Sequence, residues 1–269
     1  MNNNFPTYTI IFKETQIRLK EMRKICSQNK EIDEVDELMF YLVGNINLRI
    51  NTIFHLLEND ITDGVIPLQR TLFELQVAFN AFTSAEDKVK KKYVKLFNKK
   101  NNFETTNKLN KYFQSNNEEI KNIVTSEEIE QLSQLKNKAL EQIKSENLEG
   151  RKPEFKPWYE LASGKSLKDL SNEFQKIAYY PCYDEPSNWV HPQRIIENMD
   201  FETFNQQMPF PFYGLMLRNM YWSIEHLLNN IAFLADHSKI TENDSLYVYG
   251  ENLVELSEKL KILGEIHRY

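Results

Sequence analysis

Residues 32–58 read IDEVDELMFYLVGNINLRINTIFHLLE, and apolar side chains recur in this stretch at steps of three and four residues. Because an α-helix turns once in about 3.6 residues, this spacing predicts a long helix with one apolar stripe. The stripe consists of Val35, Met39, Leu42, Ile46, Ile50, Ile53 and Leu57. Polar residues and a glycine at 59–64 end the pattern, and the next helix is predicted at 65–82.

The helix predicted at 65–82 is apolar on two sides, which is typical of a helix in the middle of a bundle. One face carries Leu68, Leu72, Leu75 and Phe79, and the opposite face carries Ile66, Phe73, Val77 and Ala81. Further helices are predicted at 8–28, 165–177, 212–235 and 244–265. The sequence therefore predicts an all-α fold, an irregular helical bundle that forms a single domain over residues 1–269.

Residues 84–150 differ from the rest of the chain because they are polar and rich in lysine and glutamate. Two capping boxes, Ser115 with Glu118 and Thr125 with Glu128, predict helix starts within them. We interpret this stretch as an inserted helical arm. Since its helices are polar around most of their circumference, we expect the arm to project from the body and its deletion to leave the body folded.

Composition excludes several classes of function. The formal charge of -6 disfavours nucleic-acid binding by the protein as a whole, and seven isolated glycines exclude phosphate-binding glycine loops, so no cofactor is expected. The two cysteines are far apart and show no metal-ligand spacing, which predicts no metal site. The scarcity of cysteine and the lack of a signal peptide or long apolar run predict a cytoplasmic protein with no membrane partner.

Arg70 and Glu74 are the first candidate catalytic residues because they lie on an apolar face of the 65–82 helix, where charges are rare unless paired. Two interpretations stay open: a preorganised charged site facing a cleft, or a buried ion pair that holds helices together.

The segment YYPCYDEPSNWVHP, residues 179–192, is predicted to be irregular and combines tyrosines, acids, a serine and a histidine. His191 is a candidate general acid or base, with Ser187 four residues before it. The alternative is an aromatic plug in which His191 is hydrogen-bonded to the backbone.

Two arginine–histidine pairs, Arg49 with His55 and Arg218 with His226, are similar to the ribonuclease motif of HEPN domains. Both depart from it: Ile50 replaces the usual polar residue after Arg49, and the second spacing is too long.

Residues 88–111 carry nine lysines interleaved with aromatic residues, and Lys91, Lys92 and Lys95 belong to this stretch. Positive charge with stacking rings suits single-stranded RNA, whereas a solvated helical face is the alternative. A protein partner or a second copy of the chain, docked through the same arm, is the other partner that we consider.

The stretch HLLENDITDGVIPLQRTLFELQVAF, together with WYELASGKSLKDLSNEFQKIAYYPCYDEPSNWVHP, resembles the bacterial domain-of-unknown-function family 5677. The matching positions are Arg70 and Glu74, Trp158, Tyr180 and Tyr183, and Ser187 and His191. The resemblance implies an all-helical fold without a settled activity, and an association with toxin and phage-defence genes.

Two hypotheses follow. In the first, the protein is a binding or scaffold protein in which these residues form a structural cluster. In the second, it is a metal-independent, HEPN-like ribonuclease: Arg70 binds phosphate, His191 acts as acid or base, Glu74 orients one of them, and the lysines hold RNA. The second hypothesis requires His191 to lie near Arg70 and Glu74.

Overall fold

The structure is a computed structural model, and it describes residues 5–59, 61–62, 64–114, 124–146, 152–189, 210–240 and 244–266. Among these residues, seven α-helices precede a π-helical turn at Tyr180–Asp184, and three follow it. In chain order the helices are α1 (Thr9–Asn29), α2 (Glu34–Glu58), α3 (Val65–Thr83), α4 (Asp87–Gln114), α5 (Ser126–Lys144), α6 (Trp158–Ser163), α7 (Leu167–Phe174), α8 (Glu185–Trp189), α9 (Phe210–His237) and α10 (Asp244–Ile266).

The predicted all-α class is confirmed, since no strand occurs among the described residues. The helices predicted from the apolar pattern end within about three residues of the observed bounds. One prediction is wrong: residues 179–189 were expected to be irregular, but they form the π-helical turn and α8. Pro181 fits there because it lies in the first turn of the π-helical element, where a backbone amide donor is not required.

The described chain divides into two compact units, residues 1–80 with 168–269 and residues 81–167. In the first unit α9 packs on α10 and α2, and α1 packs on α2. Its core includes Ile46, Ile50, Leu217, Leu227 and Leu253, all fully buried. Three buried hydroxyls are paired: Tyr8 donates to Asn47 (2.7 Å), and the hydroxyl oxygens of Thr15 and Tyr249 lie 2.7 Å apart.

The second unit has a core of its own, in which α4 packs on α5 and α6. Phe82, Leu96, Ile143 and Leu161 are buried in it. The predicted arm, residues 84–150, falls within this unit, which extends beyond the arm at both ends.

Local sequence sets the helix starts. The capping box of Thr125 and Glu128 is confirmed, and Asp33 and Asp36 form a second one at the start of α2. The predicted box of Ser115 and Glu118 lies outside the described residues. Gly64 precedes α3 with a φ of 81°, a conformation that suits glycine. No helix within the described residues combines the length and apolar character that a membrane span requires.

Candidate functional site

Arg70 on α3 connects its own helix with the π-helical turn. Its Nε lies 3.5 Å from Oε1 of Glu74, one turn further along α3. Its Nη2 donates a hydrogen bond to the Tyr183 hydroxyl (3.2 Å), and the guanidinium carbon lies 4.8 Å from the centroid of the Tyr183 ring. The predicted Arg70–Glu74 pair therefore exists, and Tyr183 is its third member.

Of the two interpretations of this pair, the buried ion pair is wrong, because the side chains of Arg70 and Glu74 are 33% and 30% exposed. The neighbouring Phe73 and Val77 are buried, as predicted for this face of α3. A long arginine side chain can lie along apolar surface and still reach water with its charged end. The pair therefore belongs to the rim of the first unit, where a ligand can reach it.

Two tyrosines of the following segment pack on α3 beside Arg70. The ring centroids of Tyr179 and Tyr183 lie 5.4 Å apart, and each lies about 6 Å from that of Phe73 (6.3 and 6.2 Å). The ammonium of Lys168 lies 5.9 Å from the Tyr179 ring centroid. Two cations thus flank a pair of tyrosine rings, an arrangement that suits an anionic or aromatic ligand.

The side chains of Tyr180 and Ser187 make contacts within the segment. The exposed Tyr180 donates to Oε2 of Glu185 (3.4 Å). Ser187 donates its hydroxyl proton to the carbonyl oxygen of Tyr183 (2.5 Å), so this proton is used within the segment. His191 lies outside the described residues, and its pairing with Ser187, Arg70 or Glu74 stays a prediction.

Two polar residues that the sequence reasoning missed hold the segment in place. Asn219 of α9 donates to the carbonyl of Pro181 (2.8 Å) and to Oε1 of Gln69 on α3 (3.2 Å). Gln69 in turn donates to the carbonyl of Met216 (2.9 Å). Gln69 and Gln76 are both buried on α3, and this seven-residue repeat of glutamine was the available signal.

A small pocket lies beside this connection, with an empty volume of about 210 Å³. Its lining includes Gln69, Pro181, Glu185 and Asn219. This volume includes space that is open to solvent, so the enclosed part is far smaller than a ligand pocket and suits a water molecule or the end of a larger group. The Oδ1 atom of Asn219 is buried and has no hydrogen-bond partner among the described residues, so it offers an acceptor there.

The two arginine–histidine pairs do not form a joint site among the described residues. Arg49 is half-buried and His55 is exposed on α2, six residues apart and about 120° apart around the helix. On α9, burial lowers the pKa of His226 to about 4, which keeps the imidazole neutral near pH 7. No hydrogen bond joins either histidine to its arginine in the described part of the chain.

Trp158, a predicted binding residue, lies in the second unit. Its ring centroid is 5.3 Å from that of Phe97, 5.9 Å from that of Tyr93 and 5.7 Å from that of Tyr159. These edge-on contacts tie α6 to α4 and give Trp158 a packing role.

Some lysines of the predicted lysine-rich stretch on α4 form ion pairs with carboxylates, and others are exposed to solvent. Lys95 (2.7 Å) and Lys99 both contact the carboxylate of Glu146. Burial raises the pKa of that carboxyl, but the hydrogen bonds from Lys95 and Lys99 outweigh this effect and hold its pKa below the usual value. Lys91 is exposed and Lys92 is half-buried. Lys95 therefore forms an ion pair with Glu146 of its own unit, a contact that the sequence did not indicate.

Lys100 has a structural role as well, since it is 3% exposed. Its ammonium donates to the carbonyls of Pro153 (2.6 Å) and Glu154 (3.3 Å) and lies 3.4 Å from Glu104. Burial lowers the pKa of Lys100 from its usual value. This lysine anchors the connection before α6.

The comparisons with known proteins give one match. The model of a family of unknown function, DUF5677, matches residues 36–208, which is more than half of the chain. No curated protein and no solved structure matches the chain. The matched range includes Arg70, Glu74, Tyr183 and Ser187.

Proposed function

This chain belongs to the DUF5677 family, and we propose that it is a helical binding protein whose second unit binds RNA through the exposed lysines of α4. The observation that carries this proposal is the uneven distribution of charge between the two units. Residues 81–167 contain 17 Lys and Arg against 13 Asp and Glu, whereas the rest of the chain contains 16 against 26. An acidic protein thus carries a basic unit with a net charge of about +4, which suits a polyanion.

Three lysines of α4 supply the proposed contact surface. Lys88 and Lys91 are exposed, Lys92 is half-buried, and all three lie within an arc of about 100° on the helix. Lys90, Lys95, Lys99 and Lys100 are engaged with carboxylates. Phe155 is an exposed aromatic residue of the same unit and suits base stacking.

The test is a charge reversal of the three lysines. We expect Lys88→Glu, Lys91→Glu and Lys92→Glu together to weaken binding of a single-stranded RNA, measured by fluorescence anisotropy over a range of salt concentrations. The slope of log K against log salt should fall by about 2, because each phosphate contact on a single strand contributes roughly 0.7.

A double variant, Lys88→Glu with Lys91→Glu, has a control that is matched in charge. This control is Lys108→Glu with Lys111→Glu, which reverses two exposed lysines on the opposite side of α4. This control should retain most of the affinity. Equal losses in both variants would contradict a defined surface and indicate a general charge effect. No RNA binding by the wild-type protein, combined with a change of oligomeric state in the triple variant, would favour a protein partner or a second copy of the chain.

The ribonuclease hypothesis remains our second proposal because Arg70 is partly exposed and contacts Tyr183, eight residues before His191. In it, Arg70 binds the scissile phosphate and His191 transfers the proton. RNA cleavage without metal that is lost in His191→Ala, with an unchanged circular-dichroism spectrum, supports it. A role in phage defence or in a toxin system depends on this second proposal, and growth arrest on expression is its test.

A further inference from the structure

Three helix ends of the first unit bring together a cysteine, an aspartate and a histidine. Cys26 lies in the last turn of α1, Asp36 in the first turn of α2, and His237 is the last residue of α9. One sulfur, one carboxylate oxygen and one ring nitrogen of these residues lie within 4.8 Å of one another. Nε2 of His237 is 2.6 Å from Oδ1 of Asp36.

The cluster is built into the core and already attracts a cation. Cys26 and Asp36 are each 1% exposed. The ammonium of Lys30 lies 2.8 Å from Oδ1 of Asp36 and 3.5 Å from Nε2 of His237. The Lys30 side chain is 45% exposed, so its charged end can move into solvent and leave the buried groups in place.

We propose that Cys26, Asp36 and His237 bind one zinc ion, with Lys30 displaced into solvent and a water molecule as the fourth ligand. A thiolate, an imidazole and a carboxylate are the three ligand types that zinc uses in proteins. Calcium and magnesium are disfavoured because they bind oxygen ligands. On binding, the Cys26 thiol loses its proton to solvent, and Nε2 of His237 gives up the proton that it donates to Asp36. Sulfur–zinc and nitrogen–zinc bonds then form with no change of oxidation state.

The geometry requires only a small adjustment. Ligand bonds to zinc of about 2.0–2.3 Å in a tetrahedral arrangement separate ligand atoms by roughly 3.3–3.8 Å. The nitrogen of His237 and the oxygen of Asp36, now 2.6 Å apart, must therefore move apart by about 1 Å, and the three ligand atoms, now within 4.8 Å of one another, must close their widest separation by about 1 Å. The ammonium of Lys30, which contacts both Asp36 and His237, must leave at the same time. The ion would connect α1, α2 and α9, so the site stabilises the first unit independently of RNA binding by the second.

The test uses the full-length protein, stripped with a chelator and titrated with Co²⁺ as a spectroscopic probe and with Zn²⁺ against a chromophoric chelator. We expect one equivalent of each metal and a sulfur-to-cobalt charge-transfer band. Cys26→Ser should abolish the band and weaken zinc binding at least about tenfold. The matched control Cys182→Ser, a second buried cysteine outside the cluster, should behave as wild type.

Lys30→Ala provides a second test that does not disturb a ligand. If Lys30 competes with the metal, its removal should tighten zinc binding, whereas a purely structural ion pair predicts no gain. Failure of the folded wild-type protein to bind zinc or cobalt at micromolar concentration would overturn the proposal. A charge-transfer band that persists in Cys26→Ser, or weaker zinc binding by a folded Lys30→Ala variant, would also overturn it.

Discussion

At the scale of single residues, Arg70 shows how a periodic pattern can place a side chain on the correct face and at the wrong depth. The pattern fixes the direction of the Cα–Cβ bond, and the neighbouring Phe73 and Val77 are buried as that direction requires. It does not fix where a long side chain ends. The charged end of Arg70 reaches the rim, where Glu74 and Tyr183 hold it.

The exposure of Arg70 leads to a prediction about stability. Arg70→Ala should lower the free energy of unfolding by about 1 kcal/mol or less, because solvent screens this pair. The comparison is Leu72→Ala on the same helix, where the leucine is fully buried and the loss should be about 2–5 kcal/mol. Urea unfolding followed by circular dichroism measures both, and equal losses would show that Arg70 behaves as a core residue.

His226 predicts a pH dependence of stability. Burial lowers its pKa to about 4 in the folded protein, against about 6.5 in an unfolded chain. The unfolded state therefore binds more protons below about pH 6.5, and stability is complete above that pH and decreases as the pH falls toward 4. Between pH 7 and pH 5 the loss should be about 2 kcal/mol.

His226→Gln should remove this component, since glutamine does not titrate. The measurement is the difference in unfolding free energy between pH 7 and pH 5, compared in the wild type and the variant. Carboxylates contribute equally to both proteins and cancel in that comparison. An identical pH dependence in the two proteins would show that His226 is accessible to protons in the folded state.

At the scale of helices and turns, the sequence predicted what local spacing determines. The stripe of α2 and the two apolar faces of α3 follow from the 3.6-residue period. The segment 179–189 was predicted to be irregular because of its prolines, yet a proline in a first turn is compatible with a helical element. The packing of Tyr179 and Tyr183 on α3 adds a tertiary contact that periodicity does not report.

The candidate site could be predicted only in part for the same reason. Arg70 and Tyr183 were each selected from the sequence, but their contact joins residues that are 113 positions apart. Asn219 binds Gln69 over a separation of 150 residues, and Asp36 lies beside His237 over 201. Local spacing marks Gln69 as unusual but does not encode its distant partner. The hydrogen bond between Gln69 and Asn219 and the cluster around Asp36 were therefore missed.

The pairing of α4 with Glu146 leads to a prediction of gained affinity, which rests on the proposed RNA binding. Glu146→Gln removes the carboxylate that engages Lys95 and Lys99, so both ammonium groups become available to phosphate. RNA affinity should rise, and the slope of log K against log salt should steepen by about 1.

Glu141→Gln is the matched control for Glu146→Gln, because it changes the net charge equally while its partner is Lys144 on α5. This variant should bind RNA almost as the wild type does. Anisotropy titrations of the three proteins at several salt concentrations provide the comparison. Equal gains in both variants would mean that total charge governs binding and that Lys95 and Lys99 have no special part.

At the scale of the whole molecule, the polar residues of 84–150 led us to expect an arm that projects from the body. Apolar residues spaced through 81–167 nevertheless form a core. Tyr93, Leu96 and Phe103 on α4 are buried together with Ile143 of α5 and Leu161 of α6. Because these residues are diluted by lysine and asparagine, composition conceals them. The region therefore has the means to fold as a unit, and its limits matter for any deletion.

The division into two units predicts that the end point of an internal deletion decides whether the remaining chain folds well. Removing residues 84–150 takes away α4 and α5 but leaves α6, whose Trp158 packs on Tyr93 and Phe97 of α4. Removing residues 84–166 takes away α6 as well and leaves the core of residues 1–80 with 168–269. With the same Gly–Ser linker, the longer deletion should be the better folded protein.

The reason is the apolar area that each deletion leaves without partners. The shorter deletion leaves Trp158, Tyr159 and Leu161 of α6 without the helix on which they pack and exposes them to solvent. Each aromatic side chain normally buries roughly 150–250 Å². Phe82 loses its contact with Tyr93 in both proteins and so does not distinguish them. The shorter deletion should bind the dye ANS more strongly and self-associate on size exclusion, whereas the longer one should melt cooperatively. If the shorter deletion is monomeric and melts as cooperatively as the longer one, α6 does not depend on α4, and the limits of the second unit must be drawn closer to residues 84–150.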